Sequence, residues 1–190
     1  IVFGLVGSEM CIRDRAGSVG PSHGFVHVVD FAKGARVFGL DVDEGDLVHA
    51  DRHGAVIIPP AVVPDLAAAI ETLFRAEDCI LGPAKKGPMT FAVDTPTVCN
   101  AIETAEGKRG FNAFTRGTVM ASAPDHRAMV GYARTARISA LAPSPDPADV
   151  VRERRLGYYR HMSEGPRPSV AVVEDVDGAD AIGAYWGEVN

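Results

Sequence analysis

Residues 46–60, DLVHADRHGAVIIPP, contain two short apolar stretches on either side of a turn at Asp51–Gly54. Two similar stretches precede them, SHGFVHVVDF at 22–31 and ARVFGLDV at 35–42, with a Lys33-Gly34 turn between the two. Segments rich in Val, Ile and Phe that alternate with Gly- and Asp-containing turns are typical of β-strands. The sequence therefore predicts a small β meander in this region.

Three segments are predicted to be helices. The first begins near Pro64 and ends before Gly82, and its apolar residues recur at helical spacing. The second has Thr95 as its N-cap and Pro96 at the first helical position. The third runs from about Asp149 to Met162, after a Pro-rich turn. One side of the third helix is predicted to consist of Val151, Arg155, Tyr158, Tyr159 and Met162.

Three further strands are predicted in the second half of the chain. GTVMAS at 117–122 and MVGYARTARISAL at 129–141 are rich in β-branched and aromatic residues, and SVAVVED at 169–175 is a continuous apolar run that ends in two acids. A Gly-containing loop follows the last strand. A buried strand followed by such a loop is where α/β proteins hold ligands, so the sequence predicts an α/β fold.

Composition excludes several classes of protein. The chain has 190 residues, of which 46% are hydrophobic and 23% are charged, with a mean hydropathy of +0.04, as expected for a folded globular protein. The net charge of −6 argues against nucleic-acid and anionic-membrane partners. No apolar run approaches the roughly 18 residues of a transmembrane helix. Three scattered cysteines predict no disulfide framework, and we expect a cytoplasmic protein.

The chain divides into four parts in this interpretation. Residues 1–15 are predicted to be a non-native leader, because GLVGSEMCIRDR at 4–15 resembles a translated sequencing-adapter remnant. Residues 16–81 form a first unit that closes on its helix. Residues 82–88, GPAKKGP, are predicted to be a linker, and 89–190 form a second unit.

Both units resemble one family, that of the ribonuclease-activity regulators and 4-hydroxy-4-methyl-2-oxoglutarate aldolases, in reverse order. Residues 17–80 resemble its C-terminal part, and residues 94–189 resemble its N-terminal part. The most specific stretches are GDLVHADRHGAVIIP at 45–59 and VGYARTAR at 130–137. The order favours a slice through two tandem family domains, with a circular permutant as the alternative.

This resemblance implies a swivelling β/β/α-type sandwich, incomplete or permuted, and a homotrimer with active sites between subunits. It also implies a divalent metal, usually Mg²⁺, and cleavage of a small keto acid such as 4-hydroxy-4-methyl-2-oxoglutarate or oxaloacetate to pyruvate. The substrate-binding loop corresponds to Gly187, Glu188, Val189 and Asn190, with Glu188 as the catalytic acid near a metal-bound water. No residue of this chain corresponds to a direct metal ligand.

The resemblance also implies an Arg-Asp pair that supplies an arginine for the substrate and an aspartate for the metal. That pair is expected beyond Asn190, so the 190-residue chain is expected to be inactive or nearly so. Arg13-Asp14 lies too close to Ser22 and inside the adapter-like string, and we interpret it as a coincidence. The alternative function is that of a non-catalytic, protein-binding regulator of ribonuclease activity.

Other polar groups are weaker candidates. His49, Asp51 and His53 alternate and would face one zinc ion on a regular strand, but the predicted turn breaks that alignment. Arg134 and Arg137, three apart on a strand, point to opposite faces and favour salt bridges over a shared clamp for a carboxylate. The acids of the last strand and its loop are a candidate cation site, although a solvated loop is the commoner structure for Glu174, Asp175, Asp177 and Asp180.

Overall fold

A computed structural model describes residues 2–6, 14–16, 25–81, 93–117, 120–121 and 128–178. The strands are β1 (Val2–Val6), β2 (Asp14–Ala16), β3 (His27–Phe31), β4 (Ala35–Val37), β5 (Leu40–Val42), β6 (Leu47–Asp51), β7 (Gly54–Ile58), β8 (Met120–Ala121), β9 (Met129–Ser139) and β10 (Ser169–Asp175). The helices are α1 (Val63–Leu81), which follows a 3₁₀ turn at Pro60–Val62, α2 (Thr95–Glu106) and α3 (Ala148–Ser163). The protein is therefore a mixed α/β protein, as predicted.

The central strand of the main sheet is β9. Strand β10 runs parallel to it along one edge, and β6 and β3 share its other edge, both antiparallel. Beyond these neighbours, the sheet continues from β6 to β7 and from β10 to β1, β2 and β8. Because β9 has eleven residues, its first part can pair with β6 and its last part with β3. Strands from both predicted units thus share one sheet.

The leader-like segment contributes to this sheet. Strand β1 pairs antiparallel with β10 over Val2–Val6 and Ser169–Val173. The sequence shows no strand periodicity there, and this pairing was not expected. An apolar segment of any origin can satisfy the free hydrogen-bonding edge of a strand such as β10. The predicted linker at 82–88 lies outside the described residues.

The main sheet is the middle one of three layers. The hairpin of β4 and β5 covers one face, with Val37 and Val42 packed against Val48, Ala133 and Val172. The opposite face is covered by helices. Helix α3 packs through Tyr158 and Met162, and α2 packs through Val98 and Ile102, on separate parts of the sheet.

Two details of the helices differ from the predictions. The N-cap of α2 is Asp94, whose Oδ1 accepts a hydrogen bond from the backbone N–H of Thr97 at 2.9 Å, and Thr95 is the first helical residue. The predicted face of α3 is also partly wrong, because Arg155 and Tyr159 are exposed. Among the described residues, none of the helices is long and apolar enough to cross a membrane.

Candidate functional site

The loop that the family resemblance assigns to substrate binding, Gly187, Glu188, Val189 and Asn190, lies outside the described residues. The last described residue is Gly178, three positions after Asp175, at which β10 ends. Because β9 and β10 are parallel, their carboxyl ends meet at the same edge of the sheet. Ligands of α/β proteins bind at such an edge.

Asp177 organises this edge. Its carboxylate accepts hydrogen bonds from Ser139 Oγ at 2.8 Å and from the backbone N–H groups of Ala140 at 2.6 Å and Leu141 at 3.1 Å. Burial by itself raises the pKa of Asp177, but these hydrogen bonds outweigh it and hold the pKa below the ordinary value of an aspartate. The side chain therefore fastens the end of β10 to the chain that leaves β9.

The acidic segment at the end of β10 has protein donors as partners. Asp175 Oδ1 accepts from the backbone N–H of Asp177 at 3.0 Å, and Glu174 Oε2 accepts from the backbone N–H of Arg36 at 2.8 Å. Asp180, the fourth acid of the predicted cation site, lies outside the described residues. In the part of the chain that the structure describes, no group of three His, Cys, Asp or Glu side chains could hold a metal ion.

A second polar site surrounds Asp51 at the end of β6. Its side chain is 5% exposed and accepts four hydrogen bonds, two at each oxygen. Thr95 supplies its hydroxyl at 2.8 Å and its backbone N–H at 3.1 Å. His53 supplies its backbone N–H at 2.8 Å and its Nδ1–H at 3.0 Å. Burial raises the pKa of Asp51, but these donors outweigh it, so the pKa lies below its ordinary value.

The hydrogen bond to Asp51 orients the imidazole of His53. The donor at Nδ1 leaves a lone pair at Nε2, and the side chain is 37% exposed. A histidine held in this way by a carboxylate can accept a proton at Nε2. The arrangement arises because the turn after Asp51 folds His53 back over the end of its own strand.

His49 belongs to the same region but cannot join a metal site with its neighbours. Its Nε2 lies 3.0 Å from the carbonyl oxygen of Val93, and its Nδ1 lies 3.2 Å from Thr95 Oγ1, so both ring nitrogens have protein partners. Burial is the main effect on its pKa and lowers it. The turn expected to break the alignment of His49, Asp51 and His53 is present at 52–53.

A third polar cluster joins Glu44, Arg134 and His161. Arg134 Nη1 lies 2.6 Å from Glu44 Oε1, and Arg134 Nη2 donates to the carbonyl oxygen of His161 at 2.6 Å and to its Nδ1 at 2.7 Å. Glu44 Oε2 also accepts from the backbone N–H and hydroxyl of Thr135 at 2.7 and 3.0 Å. The cluster ties the turn before β6 and helix α3 to the central strand.

The two arginines of β9 have different partners, as their spacing predicts. Arg134 binds Glu44 and His161, whereas Arg137 forms a bidentate pair with Asp30 on β3. The Arg137 side chain is the main cause that lowers the pKa of Asp30 below its ordinary value. Both guanidinium groups are therefore held by protein partners and do not form a joint carboxylate clamp.

An open cleft of about 480 Å³ lies beside α2 and the turn after it, and Leu73 of α1 lines it together with Asn100, Glu103 and Arg109. Glu103 Oε1 accepts a hydrogen bond from the backbone N–H of Gly110 at 2.8 Å, so its carboxylate stabilises the turn after α2. The thiol of Cys99, also on α2, has a pKa raised to about 11, mainly by burial, and it is protonated at neutral pH. Neither feature provides a reactive group.

Two participants in these sites were missed by sequence reasoning. Thr95 carries a capping signature, which hid its contact with Asp51, and Glu44 has no local signature at all. Each contacts a residue more than forty positions away along the chain.

In comparisons with known proteins, no family model matches the chain, and no curated protein or solved structure matches it.

Proposed function

We propose that the chain carries part of a divalent-metal-dependent aldolase or decarboxylase that releases pyruvate from 4-hydroxy-4-methyl-2-oxoglutarate-type keto acids or from oxaloacetate. The observation that carries the proposal is the pairing of its two most specific family-like stretches. In β6, Leu47–Ala50 belong to GDLVHADRHGAVIIP, and they pair with Met129–Tyr132 at the start of β9, where VGYARTAR lies. Stretches that resemble opposite ends of one family domain are thus adjacent strands.

The layering of the protein supports the same proposal. A β-hairpin, the main sheet and a helical layer follow one another, which is the order of a β/β/α sandwich. The proposed substrate loop at 187–190 begins nine positions after Gly178 in the sequence, and β10, which precedes Gly178, ends at the same edge of the sheet as β9. A fold of this kind and a homotrimer with sites between subunits are part of the proposal.

The chemistry explains which groups the reaction needs. Cleavage of the carbon–carbon bond beside a keto acid leaves an enolate, and donors aimed at its oxygen stabilise the developing negative charge. We assign backbone N–H groups at Gly187 to Asn190 to the substrate carboxylate and Glu188 to proton transfer. A bound Mg²⁺ would supply positive charge to the enolate. The described residues do not contain a ligand set that fits this ion.

An assay of pyruvate release tests this proposal. The protein assayed is the full-length product of the gene that encodes this chain. We expect pyruvate from at least one of the two keto acids, with turnover reduced about 100-fold or more in Glu188→Gln, since general acid–base groups contribute roughly 10²–10⁴-fold. Glu71→Gln is the matched control, because Glu71 is exposed on α1 and forms only a surface pair with Arg75. Equal rates in both variants would remove Glu188 from the mechanism.

A protein-binding regulator is the second candidate. Leu156 and Tyr159 are 46% and 47% exposed and lie three residues apart on the outer side of α3, which favours an interaction surface. If this candidate holds, the full-length gene product releases no pyruvate but inhibits a purified ribonuclease. Leu156→Glu with Tyr159→Ser would then abolish the inhibition without unfolding the protein.

A further inference from the structure

Two segments that are distant in the sequence meet at Ala140, directly after β9. The carbonyl oxygen of Ala140 accepts a hydrogen bond from the backbone N–H of Phe25 at 2.8 Å, and the N–H of Ala140 donates to Asp177 Oδ2 at 2.6 Å. Phe25 opens the segment that leads into β3, and Asp177 closes the segment that follows β10. Both lie at the carboxyl end of β9.

The segments 25–81 and 93–178 also share every apolar cluster of the described core. Val48 packs in one cluster with Ala133, Val28 in another with Tyr158, and Val56 in the third with Ile102. Neither segment buries these side chains by itself, because each cluster takes members from both. The core therefore belongs to the pair of segments.

The polar contacts follow the same division. Glu44 binds Arg134, Asp30 binds Arg137, and Asp51 binds Thr95, and in each case one partner comes from each segment. Strand β9 adds two antiparallel ladders, to β6 and to β3. Specific contacts between the segments thus extend along β9, from its ladder with β6 to its ladder with β3.

We propose that the 25–81 segment binds the 93–178 segment as a complementary partner, so that the covalent connection between Leu81 and Val93 is dispensable for the assembled fold. The inner surface of 93–178, made of β9 and the buried faces of α2 and α3, is an interaction surface whose occupant is the 25–81 segment of the same chain. Cutting this connection makes the contact between the two segments bimolecular, so the shared core and the strand ladders must outweigh the cost of association. This inference does not depend on the proposed enzymatic function.

The first test cuts the intact, folded chain. Residues 83–88 are replaced by the recognition sequence of a site-specific protease, and the protein is cleaved after purification. A denaturing gel must show two fragments, and native mass spectrometry is expected to show one particle with the summed mass, close to the 20.1 kDa of the chain. Separate fragments or an aggregate after complete cleavage would overturn the proposal. The uncut protein with the same replacement is the matched control.

The second test relocates the termini. A permuted chain begins at residue 93, runs to 190, continues through a Gly/Ser linker to residue 1 and ends at 81, so that β1 and β2 are retained. We expect the near-ultraviolet circular dichroism of the parent and a single cooperative melting transition. A permuted chain without fixed tertiary packing would show that the original connection is required, and it would contradict the proposal even if the cut protein stays together.

Discussion

Asp177 accepts a hydrogen bond from the backbone N–H of Ala140 at 2.6 Å, and through this contact the end of β10 is fastened to the end of β9. Ser139 and Leu141 donate to the same carboxylate. Asp177 thus replaces backbone partners that the two parallel strands no longer supply once their ladder ends. The relationship fixes the geometry of the sheet edge at which β9 and β10 end.

Asp177→Ala is expected to lower the free energy of unfolding by about 1–3 kcal/mol, because three donors lose their acceptor. Urea denaturation at neutral pH measures the change. The deficit has a pH dependence, since the pKa of Asp177 is lowered in the folded protein. Its stabilisation is present above the unfolded pKa of about 3.9 and is lost as the pH falls through the folded pKa. A deficit that persists unchanged in strong acid would contradict this role.

Thr95→Val is expected to destabilise the protein by about 1–3 kcal/mol, since the buried carboxylate of Asp51 loses the hydroxyl donor. Thr104→Val is the matched control, because the hydroxyl of Thr104 is exposed and bonds only within α2, to the carbonyl oxygen of Asn100. The control is expected to change stability by less than about 0.5 kcal/mol. Thermal and urea denaturation of both variants would separate the two effects, and equal losses would refute the assignment.

His49 is expected to make the protein less stable in mild acid. Burial lowers its pKa, so the folded state favours the neutral imidazole although Asp51 and Asp94 are nearby. Because its pKa is lowered in the folded state, His49 contributes its full stabilisation above the pKa of the unfolded state, about 6.5. This contribution is lost as the pH falls from there through the pKa of the folded state. The slope of unfolding free energy against pH below 6.5 should decrease in His49→Gln. An unchanged slope would contradict this role of His49 and would mean that other groups, such as His161, set the pH dependence of stability.

Glu44→Gln is expected to cost about 3 kcal/mol of stability, because the largely buried guanidinium of Arg134 keeps its charge and loses its carboxylate partner. The double variant Glu44→Gln with Arg134→Met removes the uncompensated charge, and it should recover part of the loss. Chemical denaturation of the single and double variants measures the free energy of unfolding of each. Additive losses in the double variant would show that the pair is not coupled.

Local patterns predict the elements of this fold better than their partners. The apolar spacing in α1, the Pro96 signature of α2 and the apolar run of β10 each depend on neighbouring residues, and all three are found. The division of β9 between β6 and β3, and the pairing of Val2–Val6 with β10, depend on contacts distant in sequence. No local periodicity carries that information.

The candidate sites show the same limit. The turn after Asp51 and the separate partners of Arg134 and Arg137 agree with the predictions from strand geometry. The contact of Thr95 with Asp51 was not, because a threonine before a proline has the same signature whether its hydroxyl caps the helix or binds another strand.

The most direct test of the central proposal is the rate of pyruvate release by the full-length gene product. The rate is measured with oxaloacetate and with 4-hydroxy-4-methyl-2-oxoglutarate, in the presence of Mg²⁺ and in the presence of excess chelator. We predict release above the spontaneous rate with Mg²⁺ and its loss with the chelator. No release above the spontaneous rate from either keto acid, by a protein that is folded and saturated with Mg²⁺, would contradict the proposed function.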